Sequence, residues 1–276
     1  MVFTESIIVR FLMPDSVLAN YHTHTPRCQH AVGSEEHYIR TALQAGFTVL
    51  GFADHCPWPY RSGFVSNCRM LPRQLPDYLA ALRALRSRYD GRLRLYIGLE
   101  CEYYPAYMDW LTGQLPQLDY LILGNHFDRT DESGMYFGAC TRPDEIQRYV
   151  TLTIAGMESG LYRYLAHPDL FLNHYPVFDK AAANACHALC EAAAALDLPL
   201  EYNLLGEARQ HEPGQHGLGY TTEQFWAIAA QYPVKAIVGC DAHAPGQLAQ
   251  PQQVIAAKQA LRAKGLAVLD TLPGLE

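Results

Sequence analysis

The chain has 276 residues, 49% of them hydrophobic and 18% charged, and a formal net charge of −7. That composition excludes a disordered chain and gives enough apolar material for one large domain with a sizeable core. An acidic balance argues against a nucleic-acid surface built on bulk positive potential, although bound divalent cations would let the same chain hold an anion.

The eight cysteines, at 28, 56, 68, 101, 140, 186, 190 and 240, are scattered and form no C-x-x-C pair. With no secretory signal, this usage implies reduced thiols in a cytoplasmic protein. The opening "MVFTESIIVRFLMPDSVLAN" is too short, and too interrupted by Glu5 and Arg10, for a signal peptide or a membrane span. No linker-like stretch divides the chain. The expected organisation is one domain over 14–276 behind an N-terminal extension, 1–13.

Along the chain, β-branched and aromatic runs alternate with stretches of helical period. A first strand is predicted near Val17–His22, then a helix over Ser34–Ala45 with Ser34 as N-cap and Gly46 as C-cap. "FTVLGFADH" (47–55) reads as the second strand, "LPDYLAALRALRSRY" (75–89) as a helix and "LRLYIGLECEYY" (93–104) as the third strand. A short helix at "YMDWLTGQL" leads into a fourth strand, "LDYLILGNH" (118–126), and a helix over 141–160. "YRYLAHPD" (162–169) is the expected fifth strand, followed by a helix at 178–197 and a sixth strand at 198–205. A helix at 222–232, a seventh strand at 234–243, a helix near 252–264 and a short strand in "LAVLDTL" complete the pattern.

Such alternation predicts an α/β fold with a parallel sheet, doubly wound or closed as a barrel. No G-x-G-x-x-G follows the first strand, so a dinucleotide site has no support. His22 and His24 end the first strand, and residues i and i+2 of a strand point to one face, so the pair aims two imidazoles at one point. Asp54 and His55 end the second strand, Glu100 lies late in the third, and His126 and His167 end the fourth and fifth. Asp241 and His243 end the seventh. In a barrel all these ends open onto one mouth, where active sites are built. The clustering predicts a metal centre there.

The pieces "HTHT" (22–25), "ADH" (53–55), "GLE" (98–100), "GNH" (124–126), "AHPD" (166–169) and "CDAH" (240–243) resemble, in order, the polymerase-and-histidinol-phosphatase (PHP) family. The resemblance spans about residues 18 to 245. It implies a distorted (β/α)7 TIM-like barrel carrying two to three divalent ions of zinc, iron or manganese. By the family pattern His22, His24, Glu100 and Asp241 would hold the first ion. Glu100 would bridge to a second, completed by His126 and His167, and His30, His55 and His243 would hold the third. "HTPRCQHA" and "YLAHPDL" resemble the histidinol-phosphatase branch, as does "EYNLLGEARQ" (201–210) more loosely, while "HEPGQHGLGY" (211–220) departs from it.

The chemistry is coherent with that resemblance. Mixed imidazole and carboxylate ligands suit these metals, and a bridging carboxylate lets two cations share one hydroxide and clamp a phosphoryl group. The expected activity is hydrolysis of a small phosphate monoester, histidinol phosphate first, with Glu100, Asp241 and Asp54 in the catalytic machinery. Arg209 and Arg27 are rival phosphate clamps, because a guanidinium fork matches phosphoryl oxygens. Trp58 and Tyr60 are candidate pocket walls, and Asp169 a capping or supporting residue. A phosphodiesterase or exonuclease, a non-catalytic metal-binding domain and an amidohydrolase-type barrel are the competing readings. The last normally uses a bridging lysine, where this chain has Glu100. Neither a nucleic-acid nor a membrane partner is expected.

Overall fold

The computed structural model describes residues 17–210, 212 and 216–276. The expected extension, 1–13, and His211 lie outside these residues. Among the described residues there are seven strands and eight α-helices, which alternate except at two points where one helix follows another. In order they are β1 (Ala19–Asn20), α1 (Glu35–Ala45), β2 (Val49–His55), α2 (Leu75–Arg88), β3 (Arg94–Cys101), α3 (Met108–Gln114), β4 (Tyr120–Leu123) and α4 (Pro143–Glu158). There follow α5 (Lys180–Ala195), β5 (Leu200–Asn203), α6 (Leu204–Arg209), α7 (Glu223–Ala229), β6 (Lys235–Gly239), α8 (Pro251–Ala263) and β7 (Ala267–Val268). Among the described residues no helix is long and apolar enough to cross a membrane.

Local chemistry explains the boundaries. Ser34 accepts from the His37 amide at the start of α1, and Gly46 ends that helix at φ 89°, where only glycine is unstrained. All strand pairs are parallel, in the orders β1-β2-β3-β4 and β5-β6-β7. The expected fifth strand is not one. Its chain makes single bridges only, from Leu165 to Leu123 on one side and to Leu200 on the other, and thereby links the two groups. It stops early because His167 turns into the left-handed region at φ 63°, directly before Pro168. A further bridge joins Thr23 to Ala242, at the ends of β1 and β6. The result is an α/β fold with a curled parallel sheet.

Side chains alternate across that sheet with period two. Leu50, Phe52, Leu95, Ile97, Leu99 and Leu121 face the helices in the main core. Val49, Ala53, Tyr120, Ile122, Tyr164 and Ile237 face inward, closed at one end by Leu272 and Leu275 of the C-terminal segment. At the opposite end the same inward register continues into His55 on β2 and Glu100 on β3, which are direct neighbours. Beyond β6 it continues into Asp241. On β2, β3 and β6 the polar cluster is therefore the inner face of the sheet carried past its apolar filling.

Candidate metal centre

Four ligand-type atoms meet beneath the mouth of the sheet. His22 Nε2 lies 3.5 Å from Glu100 Oε2 and 3.4 Å from Asp241 Oδ1; His24 Nε2 lies 3.6 and 3.1 Å from the same two atoms. All four atoms are buried and lack a hydrogen-bond partner among the described residues. Buried polar atoms left unpaired are costly, so a group of four marks a cation-binding arrangement. Ligand atoms around a tetrahedral zinc, with bonds of about 2.0–2.2 Å, stand roughly 3.3–3.6 Å apart. The donor set and its spacing fit such an ion.

The other oxygen of Glu100 serves a second group. Oε1 lies 2.8 Å from His167 Nε2 and 3.3 Å from His126 Nε2. One carboxylate thus faces two sets of imidazoles, one with each oxygen. Gly124 makes room for this: a Cβ there would collide with the Glu100 carboxylate. Two of the gathered residues, His167 (φ 63°) and Asp241 (φ 47°), hold left-handed backbone, a strain typical of functional positions.

A third group forms at the rim. His30 Nε2 and His243 Nε2 face each other at 3.0 Å. The rings of His30 and His55 are 5.4 Å apart, but His55 turns its Nδ1 to Glu100 Oε2 at 2.9 Å. His55 is therefore shared between the rim and the Glu100 carboxylate, and is not drawn to the rim alone.

Electrostatics follow the carboxylates. Burial opposes charge on His22, yet Asp241, Glu201 and Glu100 hold its pKa well above the ordinary value, and His24 behaves likewise beside Asp241. Burial also works against ionised Glu100 and Asp241, but surrounding imidazoles hold both well below the usual carboxylate range. His55 and His243 respond oppositely: burial, then neighbouring imidazoles, lowers them to about 4 and about 2. The inner cluster attracts positive charge; at the rim His55 and His243 stay neutral, whereas the Cys28 side chain raises His30 above the ordinary value.

Several residues that sequence reasoning passed over complete the centre. Glu201 on β5 accepts from His22 Nδ1 at 2.8 Å, and Glu102 accepts from His126 Nδ1 at 3.0 Å. Each carboxylate fixes an imidazole so that Nε2 points inward, the usual support for a metal-binding histidine. Glu102 is in turn held by Arg69, at 2.9 and 3.1 Å, and by Trp58 Nε1 at 2.7 Å. The available signals were Glu102 two residues after Glu100, and Glu201 with Asn203 alternating in an otherwise apolar strand.

The expected site residues separate accordingly. Asp54 is fully buried, accepts from Thr25 and from the His55 amide, and stands 3.5 Å behind His24 Nδ1. Arg209 lines the cavity over the cluster, together with Tyr136 and Tyr220. Arg27 does not line it; its guanidinium is held by Glu35 and by Asp77, the latter at 2.7 Å. Trp58 and Tyr60 do not wall it either, since Trp58 is buried against Glu102 and Tyr60 hydrogen-bonds Asp131. Asp169 accepts the amides of Thr221 and Thr222 at 2.9 and 2.7 Å, pinning the turn that carries Tyr220 into place.

Residues 20–204 match the family model described as the PHP domain. The chain belongs to the PHP domain family. This PHP chain is 28% identical over 248 residues to the "Probable histidinol-phosphatase" of Deinococcus radiodurans, covering 84% of this chain and 88% of that one. It is 26% identical to the histidinol-phosphatase of Bacillus subtilis, over 82% and 94% of the two chains. Among solved structures, a histidinol phosphate phosphatase from Lactococcus lactis, complexed with zinc, L-histidinol and phosphate, superposes with a TM-score of 0.65 at 16% identity. That match covers 91% of this PHP chain and 95% of the other. A second structure, from Listeria monocytogenes, reaches a TM-score of 0.70 at 18% identity over 85% and 98%. These two likenesses bear on the fold.

Proposed function

We propose that this PHP chain is a metal-dependent phosphomonoesterase that hydrolyses L-histidinol phosphate to histidinol and phosphate. The observation that carries the reading is the set of four buried, unpartnered atoms on His22, His24, Glu100 and Asp241 at ion-ligand spacing. The names of the relatives supply the substrate. In this reading those four residues hold one divalent ion of zinc, iron or manganese. Glu100 would also serve a second, with His126 and His167, and His30, His55 and His243 would hold a third. We take the sheet, linked through Leu165 and Thr23, to close as a distorted (β/α)7 barrel within one domain over 14–276.

The ions, when bound, would supply the positive field that clamps phosphoryl oxygens and the acidity that readies water at neutral pH. The chain's own residues do the rest. Arg209 reaches the cavity from α6 and offers charge-assisted contacts to a phosphate oxygen. Phe127, Leu170, Leu205, Tyr136 and Tyr220 give the cavity apolar and aromatic sides that exclude bulk water and accept the organic part of the ester. Asn203 donates to Asp241 Oδ2 at 3.2 Å, leaving Oδ1 for the cluster. Asp54 acts through His24, whose ring it backs, and so is a positioning residue.

Measuring kcat/KM across histidinol phosphate, other sugar and amino-alcohol phosphates, bis(4-nitrophenyl) phosphate and single-stranded DNA ends tests the proposal. Histidinol phosphate is expected to lead. A diester or DNA end ahead by tenfold would overturn the monoesterase reading, and another monoester ahead would overturn the substrate. The two arginines give a second check. Arg209→Ala should raise KM for a phosphate monoester by roughly ten- to a hundredfold, from about 1.5–3 kcal/mol lost with a charge-assisted contact. Arg27→Ala should leave KM within about twofold, because Arg27 is engaged by Glu35 and Asp77.

A further inference from the structure

A carboxylate at the tip of a surface loop is rarely buried. Between β4 and α4 the chain forms a short hairpin, closed by a bridge from Phe127 to Tyr136 and by the Asp128 amide donating to the Met135 carbonyl at 3.1 Å. Within it the Met135 amide donates to Asp128 Oδ1 at 2.7 Å and the Gly134 amide to the Thr130 carbonyl at 2.6 Å, so the segment holds its own shape. Glu132 and Ser133 at the tip are exposed, yet the adjoining Asp131 side chain is only 4% exposed. Four donors from the loop after β2 converge on that carboxylate: Arg69 Nε at 3.2 Å, Cys68 Sγ at 3.5 Å, and the Ser66 and Tyr60 hydroxyls. Burial opposes its charge, but Arg69, then Ser66 and Tyr60, hold its pKa below the usual carboxylate range.

This clasp joins two sides of the cavity. Cys68 and Arg69 line it from the loop after β2, and Phe127 and Tyr136 line it from the hairpin. The rings of Phe127 and Tyr136 stand 5.6 Å apart, and a Cβ at Gly138 would strike the Tyr136 ring, so that ring is seated close over the backbone there. We propose that Asp131 is a positioning residue for substrate choice: clasped to the loop after β2, it holds the 127–136 hairpin so that Phe127 and Tyr136 form the wall against which the organic part of the ester packs. The inference rests on the monoesterase reading above and adds which element of the chain sets its substrate range. Arg69 keeps its two contacts to Glu102 without Asp131, and Glu102 keeps His126 in place. Losing the clasp should therefore cost recognition of the alcohol and spare the metal centre, in proportion to how much alcohol there is to recognise.

The test compares Asp131→Ala with the unaltered full-length protein, both loaded with metal, on histidinol phosphate and on methyl phosphate, whose alcohol gives a wall almost nothing to pack against. KM for histidinol phosphate should rise on the order of tenfold or more, while kcat/KM for methyl phosphate and bound metal per chain stay within about twofold. Trypsin should also cut the variant faster after Arg129, which is exposed on the hairpin. If Asp131→Ala folds poorly, the pair Tyr60→Phe and Ser66→Ala removes two of the four donors and should shift the same KM in the same direction. Equal losses on the two esters, or loss of bound metal, would overturn the inference and make the clasp a support of the centre. No change on either ester would overturn it as well. Unaltered protein that fails to turn over histidinol phosphate would instead remove the substrate reading, and the same comparison on whichever organic monoester leads would then decide the inference.

Discussion

Glu100→Gln is expected to lower kcat on the order of a thousandfold and to cost at least one equivalent of bound metal. The substitution is nearly isosteric, so packing under Gly124 should survive. What is lost is an anion that faces His22, His24 and His55 with one oxygen and His126 and His167 with the other. An amide presents one neutral oxygen and a nitrogen that does not ligate, so both groups lose charge at once. The magnitude matches removal of a main electrostatic stabiliser from an enclosed site. His187→Ala is the control, because its ring meets Tyr232 on the outer helical layer at 2.8 Å. Equal losses in the two variants, by steady-state kinetics and elemental analysis, would refute the ligand assignment.

Stripping the metal with a chelator should abolish turnover and lower the Tm by roughly 5–10 °C, with both restored by adding metal back. Ligands held at a hundred to a thousand times Kd stabilise a fold by about 3–4 kcal/mol, and a chain of this size loses about 2 °C per kcal/mol. Without ions, protons take their place: burial opposes charge on His126, yet Glu100 and Glu102 raise its pKa from 6.5 to about 9. A pKa raised on folding contributes stability that is complete below the unfolded value and is lost as pH climbs through the folded one. The stripped protein should therefore lose stability between about pH 6.5 and 9, while His55 and His243, lowered to about 4 and 2, stay neutral throughout. The loaded protein should be flatter over that window, since its imidazoles are already deprotonated by the ions. Metal added near pH 7.5 should release protons into a weakly buffered solution. A Tm unchanged by chelation, or metal uptake without proton release, would contradict the centre.

Much of the inner centre was legible from the chain because a strand is a ruler. Period-two alternation carries the apolar inner face of β2 and β3 directly into His55 and Glu100, and His22 and His24 stand at the same end of β1. Alternating strands and helices make the sheet parallel, so residues scattered from His22 to His243 share one mouth whatever their separation. These are local regularities, and one sequence suffices to read them.

What the tertiary structure decided are the directions of side chains and the partners that arrive from far along the chain. Arg27 and Arg209 are the same residue type, each near an expected ligand or pocket segment. Only the packing of α1 and α2, which brings Glu35 and Asp77 to Arg27, leaves Arg209 to the cavity. The supports of the histidines were equally out of reach, since Glu201 meets His22 across 179 positions and Arg69 meets Glu102 across 33. The fifth strand failed as a strand because a left-handed turn at His167 serves the site at the expense of the ladder, a conflict that propensity does not register. Residue type and strand register determined by themselves which chemistry gathers at the mouth. Three-dimensional packing determined which charges stand behind each imidazole, because Coulomb interactions and hydrogen bonds depend on distance in space and not along the chain.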